Sequence, residues 1–122
     1  MNKVKIDFFG REFNLNVIFD YYEGEEILPS QKETLNTFLE KQHFLNDDLN
    51  KLKKYCLDRN ENEIGEKIDN IFKYVIPIEI YVTRKKGIVA VMCKYKFDLE
   101  HGIALVYKDE KLIDIGIQDI VL

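Results

Sequence analysis

The hydrophobic period changes twice along this chain, and that change restricts the fold more than any other feature. Apolar residues alternate over 3–9 and 12–22, recur at helical spacing through the middle, and alternate again from Ile78 onward. A period of two buries one face of a strand, whereas a stripe at i, i+4, i+7 and i+8 buries one side of a helix. The order strand–strand, helices, strands predicts an α+β fold. Its sheet is expected to be antiparallel, an N-terminal hairpin plus a C-terminal meander, with about three central helices packed on one face. The 122 residues suffice for one such domain over 1–122, and no repeat or linker divides them.

Each segment carries local signals. Val4, Ile6 and Phe8 share one face of the first strand; Phe13, Leu15, Val17, Phe19 and Tyr21 share one face of the second. Gly10-Arg11 suits a two-residue type II′ turn that sets Phe8 against Phe13, Ile6 against Leu15 and Val4 against Val17. Pro29-Ser30-Gln-Lys-Glu33 reads as a helix entry, with Ser30 capping the Glu33 amide and Glu33 reaching back. Leu35, Phe38, Leu39 and Gln42 follow at helical spacing. A second helix starts at Asn46, with Asp47 and Asp48 facing the positive end of its dipole. Its stripe is Leu49, Leu52 and Cys56 beside Tyr55, and Lys51, Lys53 and Lys54 point to solvent. A third helix is predicted from about Asn62 to Tyr74 on Ile64, Ile68, Ile71, Phe72 and Val75, ended by Pro77. Gly65 inside it either allows close packing or marks a helix that begins after it.

From Ile78 the strand period returns. A four-residue loop, Arg84–Gly87, pairs Thr83 with Ile88, Val82 with Val89 and Ile80 with Val91. Val89, Val91, Cys93, Tyr95 and Phe97 face inward, while Lys94 and Lys96 look toward solvent. The last hairpin allows two registers. A two-residue Asp109-Glu110 turn sets Val106 against Ile113 and Ala104 against Ile115. A three-residue loop sets Leu105 against Ile113 and Ile103 against Ile115, but asks Glu110 for a left-handed conformation.

The net charge of −4 is of the wrong sign for a general nucleic-acid binder and too small for a strong electrostatic mimic. No apolar run approaches the roughly 20 residues that span a bilayer, and the N-terminus lacks a signal-peptide pattern. Cys56 and Cys93 read as buried free thiols in a reducing compartment. The expectation is a cytoplasmic protein with neither a nucleic-acid nor a membrane partner.

Two stretches are candidates for function. Asp98, Glu100 and His101, closed by Gly102, form the one local set suited to acid–base work. A catalytic zinc would need three protein ligands, and no spacing motif links His43 to His101. No metal or other cofactor is expected, and no nucleophile elbow or phosphate loop occurs, so no catalytic residue is assigned. The second stretch is the loop Asp20–Glu26, where Tyr21 and Tyr22 stand beside Glu23, Glu25 and Glu26. Aromatics anchor interfaces and charges steer them, so this loop suits a partner with a basic surface.

The segment Asp98-Leu-Glu-His-Gly102, the strand Ile103–Tyr107, a short turn and Leu112-Ile-Asp-Ile-Gly116-Ile-Gln-Asp-Ile120 resemble a signature of small bacterial domains of uncharacterised function. In them an acidic-x-Glu-His-Gly corner leads into a hairpin ending in Gly-x-x-Asp. The Ser30–Glu33 helix entry and the Pro77-Ile-x-Ile80 strand start also fit, and the resemblance is strongest over 77–122. The chain departs from it at Asp109-Glu110, where Asn-Gly is more typical, and at Phe97, where Trp often stands. Some such domains resemble immunity proteins of toxin–immunity loci. The resemblance, the absence of a catalytic set and the acidic-aromatic loop together lead to the expectation of a non-catalytic binding protein that neutralises a cognate toxin by direct contact, with Tyr21, Tyr22, Glu23, Glu25, Glu26, Asp98, Glu100 and His101 as candidate partner-binding residues. Two rivals stand beside it: a small-ligand or enzyme domain using the Asp98/Glu100/His101 corner, and an accessory subunit of a larger assembly. The oligomeric state is open.

Overall fold

A computed structural model describes residues 3–21, 24–42 and 44–122. The chain runs β1 (Lys3–Phe8), β2 (Arg11–Phe19), α1 (Pro29–Lys41), α2 (Asn46–Ile64), β3 (Val75–Val82), β4 (Ile88–Tyr95), β5 (Ile103–Lys108) and β6 (Lys111–Gly116). One-turn 3-10 helices at Ile71–Lys73 and Gln118–Val121 complete it. The strands form one sheet in chain order, β1 to β6.

The sheet is mixed, which corrects the expected all-antiparallel arrangement. β2 and β3 pair in parallel, Val17 opposite Ile80 and Phe19 opposite Val82, while the other four pairings are antiparallel. A parallel neighbour requires a crossover, and α1 and α2 supply it. Both pack on one face through Phe38, Leu52 and Cys56, against Ile6, Phe8, Leu15, Ile80, Val91, Tyr95, Leu105 and Tyr107. Phe44, between the helices, contacts Phe8 and Phe9 as well as Tyr107. β1 and β5 are separated by three strands, so the sheet twists enough to bring their ends to one side chain.

The described residues form two α-helices, not about three. Residues 62–64 finish α2, and Gly65, at φ +102°, stops it with its amide bonded to Glu61 O. A glycine adopts that conformation without Cβ strain. Ile68 and Ile71 are buried all the same, from irregular chain and a 3-10 turn capped by Asn70 Oδ1 on the Phe72 amide. The apolar spacing marked burial without marking a helix. Pro77 lies inside β3 at a register shift. It precedes the β2-paired stretch 79–82, so its missing N–H costs no ladder bond there.

The helix entry also differs. Leu28 precedes α1, Pro29 is its first residue, and Ser30 makes no cap. Gln31 does the work instead. Its side chain is 1% exposed; Oε1 accepts from the Leu28 amide at 2.8 Å, and Nε2 donates to Asp20 O at 2.7 Å and Val82 O at 3.3 Å. Asp47 and Asp48 do open α2, and the Tyr107 hydroxyl donates to buried Asp48 at 3.2 Å.

Two hairpin registers depart from expectation. The first turn is Phe9-Gly10, both at positive φ, so Ile6 faces Phe13 and Val4 faces Leu15. The shift is two residues from the expected register, so the same side chains stay inward. Positive φ at both positions matches the twist of the strands, and Asp7 Oδ1 accepts from the Gly10 amide at 2.9 Å. The last turn, Asp109-Glu110, is likewise at positive φ, with Lys108 opposite Lys111. A bulge then follows, so that Leu105 faces Ile115. Neither expected register holds along the whole hairpin, because the bulge adds one residue, leaving Ile113 54% exposed. The β3–β4 register is as expected, Ile80 opposite Val91 and Val82 opposite Val89.

The second sheet face is not simply solvated. Lys94 and Lys96 are exposed, but Tyr81, Ala90, Met92, Ala104 and Val106 are buried there, with Val121 of the last 3-10 turn packed on them.

Candidate functional site

The six described candidate residues fall at opposite ends of the central strands. Tyr21, Glu25 and Glu26 lie beyond the end of β2, where the Asp20 amide bonds Val82 O. Asp98, Glu100 and His101 lie between β4 and β5, past Tyr95. A strand of eight residues separates the two ends, roughly 25 Å at about 3.3 Å per residue. Tyr22, Glu23 and His43 lie outside the described residues.

At the Asp98 corner the backbone makes a tight turn. Gly102 N donates to Asp98 O at 2.9 Å, and the His101 amide donates to Asp98 Oδ1 at 3.2 Å. His101 Nδ1 lies 3.0 Å from Asp98 Oδ1. An ionised carboxylate only accepts, so Nδ1 carries the proton in this pair. Arg59 of α2 reaches the other oxygen, Nη2 to Oδ2 at 3.0 Å. Its guanidinium also lies over the rings of Tyr55 and Tyr95, 5.5 and 5.2 Å from their centroids. Glu100 is exposed and joins none of these bonds.

Behind Arg59 the helix distorts. Asn60 leaves helical φ/ψ, and its Oδ1 accepts the Tyr95 hydroxyl at 2.6 Å. The kink follows from a buried hydroxyl that must be bonded. The corner is thus a joint between α2 and the β4–β5 connection. Arg59 and Asn60 were not singled out from the sequence, and Tyr55 and Tyr95 entered only as packing residues; the signal present was Tyr55 and Arg59 four apart, on one helical face.

The charges explain the titration behaviour. The Arg59 hydrogen bond, aided by His101, holds the Asp98 carboxyl below its ordinary range. The hydrogen bond to Asp98, with its negative charge, raises His101 above the ordinary 6.5. A raised histidine pKa contributes stability that is complete below about pH 6.5 and lost as pH rises through the folded value. The depressed Asp98 contributes above its ordinary 3.8, and that part is lost as pH falls through the folded value. The stability gap between wild type and His101→Gln is therefore expected to be widest near about pH 5 and to narrow as pH rises above about 6.5. Urea midpoints across that range test it, and a gap independent of pH would refute the pairing.

Chemically, the corner offers an oriented imidazole with no nucleophile bonded to it among the described residues. Cys56 and Cys93 are free and buried; desolvation pushes Cys56 up to about 11 and raises Cys93 further, away from the reactive thiolate. Among the described residues no three His, Cys, Asp or Glu side chains are grouped to hold a metal ion. None of their helices is long and apolar enough to cross a membrane.

At the other end three described residues flanking Tyr21 and Glu26 are bonded to the rest of the fold. Gln31 bonds Asp20 at its start and Leu28 at its end, and Arg84 pairs with Glu25 at 2.9 Å. Tyr21 is 55% exposed, and Glu26 is exposed beside it. A cleft of about 380 Å³ opens nearby, between α1 and the turns after β3 and β5.

The chain belongs to a family described as a domain of unknown function, DUF6985, whose model matches residues 1–122. Neither a curated protein nor a solved structure matches it.

Proposed function

From membership of a family whose function is unstated, we propose that this chain is a non-catalytic, cytoplasmic binding protein of the immunity type. It neutralises a cognate toxin by direct contact, and its contact surface is the loop 20–28. The observation that carries this reading is the Gln31 clamp. Fixing Asp20 and Leu28 to one buried side chain reduces the freedom that binding must remove at those two points, and preorganisation of that kind favours affinity. Tyr21 supplies an exposed aromatic anchor and Glu26 a free charge to steer a basic partner. At the other end, both Asp98 oxygens are engaged within the chain, which favours a joint over a catalytic acid–base set.

Co-expression with the products of neighbouring genes tests the reading. One of them is expected to co-purify in a fixed ratio, and Tyr21→Ala is expected to weaken that complex by about tenfold or more. If only the free chain is recovered with every neighbour, the reading fails.

A further inference from the structure

The cleft beside α1 takes no part in the contacts described so far, and its lining is unusual. Ser30, Glu33, Thr34, Thr37 and Phe38 reach it from α1, at i, i+3, i+4, i+7 and i+8. A helical stripe turned toward a sheet is normally apolar, yet four of these five are polar. The neighbouring stripe, with Leu35, Phe38 and Leu39, serves the core.

The far wall is preformed. The Asp109 amide donates to Gly87 O at 3.2 Å, and the Gly87 amide donates to Thr34 Oγ1 at 3.2 Å. The Asp109 carboxylate lies over Gly87, where a Cβ would stand 2.5 Å from Oδ1, and φ +80° there favours glycine. Phe38 and Val89 also line the cleft, and both are buried, so they form an apolar floor.

The charges do not balance within it. Lys41 pairs with Glu110 at 3.0 Å. No ion pair joins Lys86 to Glu33 or Asp109 among the described residues. Two carboxylates against one ammonium leave one negative charge for an occupant to offset. The hydroxyls of Ser30 and Thr37 add neutral acceptors.

We propose that this cleft seats one arginine side chain of the partner protein. Its aliphatic stem lies on Phe38 and Val89, and its guanidinium is held by Glu33 and Asp109 with the Ser30 and Thr37 hydroxyls. Arginine suits the site better than lysine because its five donors fan out in a plane, matching acceptors supplied from several directions. The volume of about 380 Å³ accommodates one side chain, and Lys86 on the rim disfavours a second cation. The cleft is continuous with the loop: Ser30 adjoins Gln31, and the turn carrying Lys86 and Gly87 also carries Arg84, the Glu25 partner. The inference rests on the proposed binding function and names the chemistry recognised.

The test is amide NMR titration of the whole chain with N-acetyl-Gly-Arg-Gly-amide, its citrulline counterpart and agmatine. The arginine tripeptide is expected to shift the Thr34, Gly87 and Asp109 amides with a dissociation constant on the order of a few millimolar, and agmatine to bind no more tightly. Citrulline, uncharged and nearly isosteric, is expected to give no such shift. Glu33→Gln and Asp109→Asn, both at exposed positions, are each expected to weaken binding about tenfold, while Glu61→Gln on α2 leaves it unchanged. An equal response to citrulline, tighter binding of agmatine than of the tripeptide, or no shift at about 50 mM tripeptide would each overturn the assignment. No toxin takes part in this titration, so its failure leaves a loop-mediated complex standing, and absence of a complex leaves the titration standing.

Discussion

Urea unfolding of Gln31→Ala is expected to show a loss of about 3 kcal/mol. The substitution leaves the Leu28 amide and Asp20 O without the partners that bond them at 2.8 and 2.7 Å. Each such group costs about 1–3 kcal/mol when water cannot replace the partner. Val82 O is spared, because it keeps its bond from the Asp20 amide at 2.9 Å. Ser30→Ala is the control. Ser30 makes no cap, so its loss is expected to stay within about 0.5 kcal/mol. Equal losses at the two positions would return the helix cap to Ser30 and remove the clamp that joins Asp20 to Leu28.

Gly102→Ala is expected to cost about as much, ~3 kcal/mol, for a different reason. Gly102 sits at φ +58°, and a Cβ there would lie 2.4 Å from Cys93 O and 2.6 Å from Gln118 Nε2. The first is backbone inside β4 and cannot swing aside. The second donates to that same Cys93 O at 3.0 Å, so the bond tying the C-terminal turn to the sheet must break. Gly24→Ala separates clash from conformation. Gly24 also has positive φ, but nothing lies within 4 Å of its Cβ position. Its replacement is expected to cost about 1 kcal/mol. If both variants unfold at the same urea concentration, close packing is not what requires glycine at the corner.

The candidate site was partly legible in the sequence. Asp98, His101 and Gly102 are neighbours in the chain, and their hydrogen bonds are local, so their spacing alone suggested a corner. Arg59 stands 39 residues away, and nothing local connects it to Asp98. That guanidinium takes the second carboxylate oxygen and ties the corner to α2. The cleft beside α1 was hidden for the same reason. Glu33, Gly87 and Asp109 come from three separate elements and meet only because β4 and β5 are neighbours carrying adjacent turns.

What the sequence by itself determined is what depends on near neighbours: alternating and helical apolar faces, the start of α2 at Asn46, and the even loop between β3 and β4. Those are set by side-chain period and turn length, which act within a few residues. The tertiary structure decided the rest. β3 could have joined the sheet in either direction on pattern alone. It pairs in parallel with β2 because α1 and α2 return the chain to the starting end, and its nearly continuous apolar run is buried on both faces. The first hairpin moved by two residues, since an even shift keeps every inward side chain inward and leaves turn geometry to choose. Ile68 and Ile71 needed burial, not a helix, and Gly65 ended the helix that their spacing suggested. Where two local solutions bury the same side chains, contacts between residues far apart in the chain choose between them.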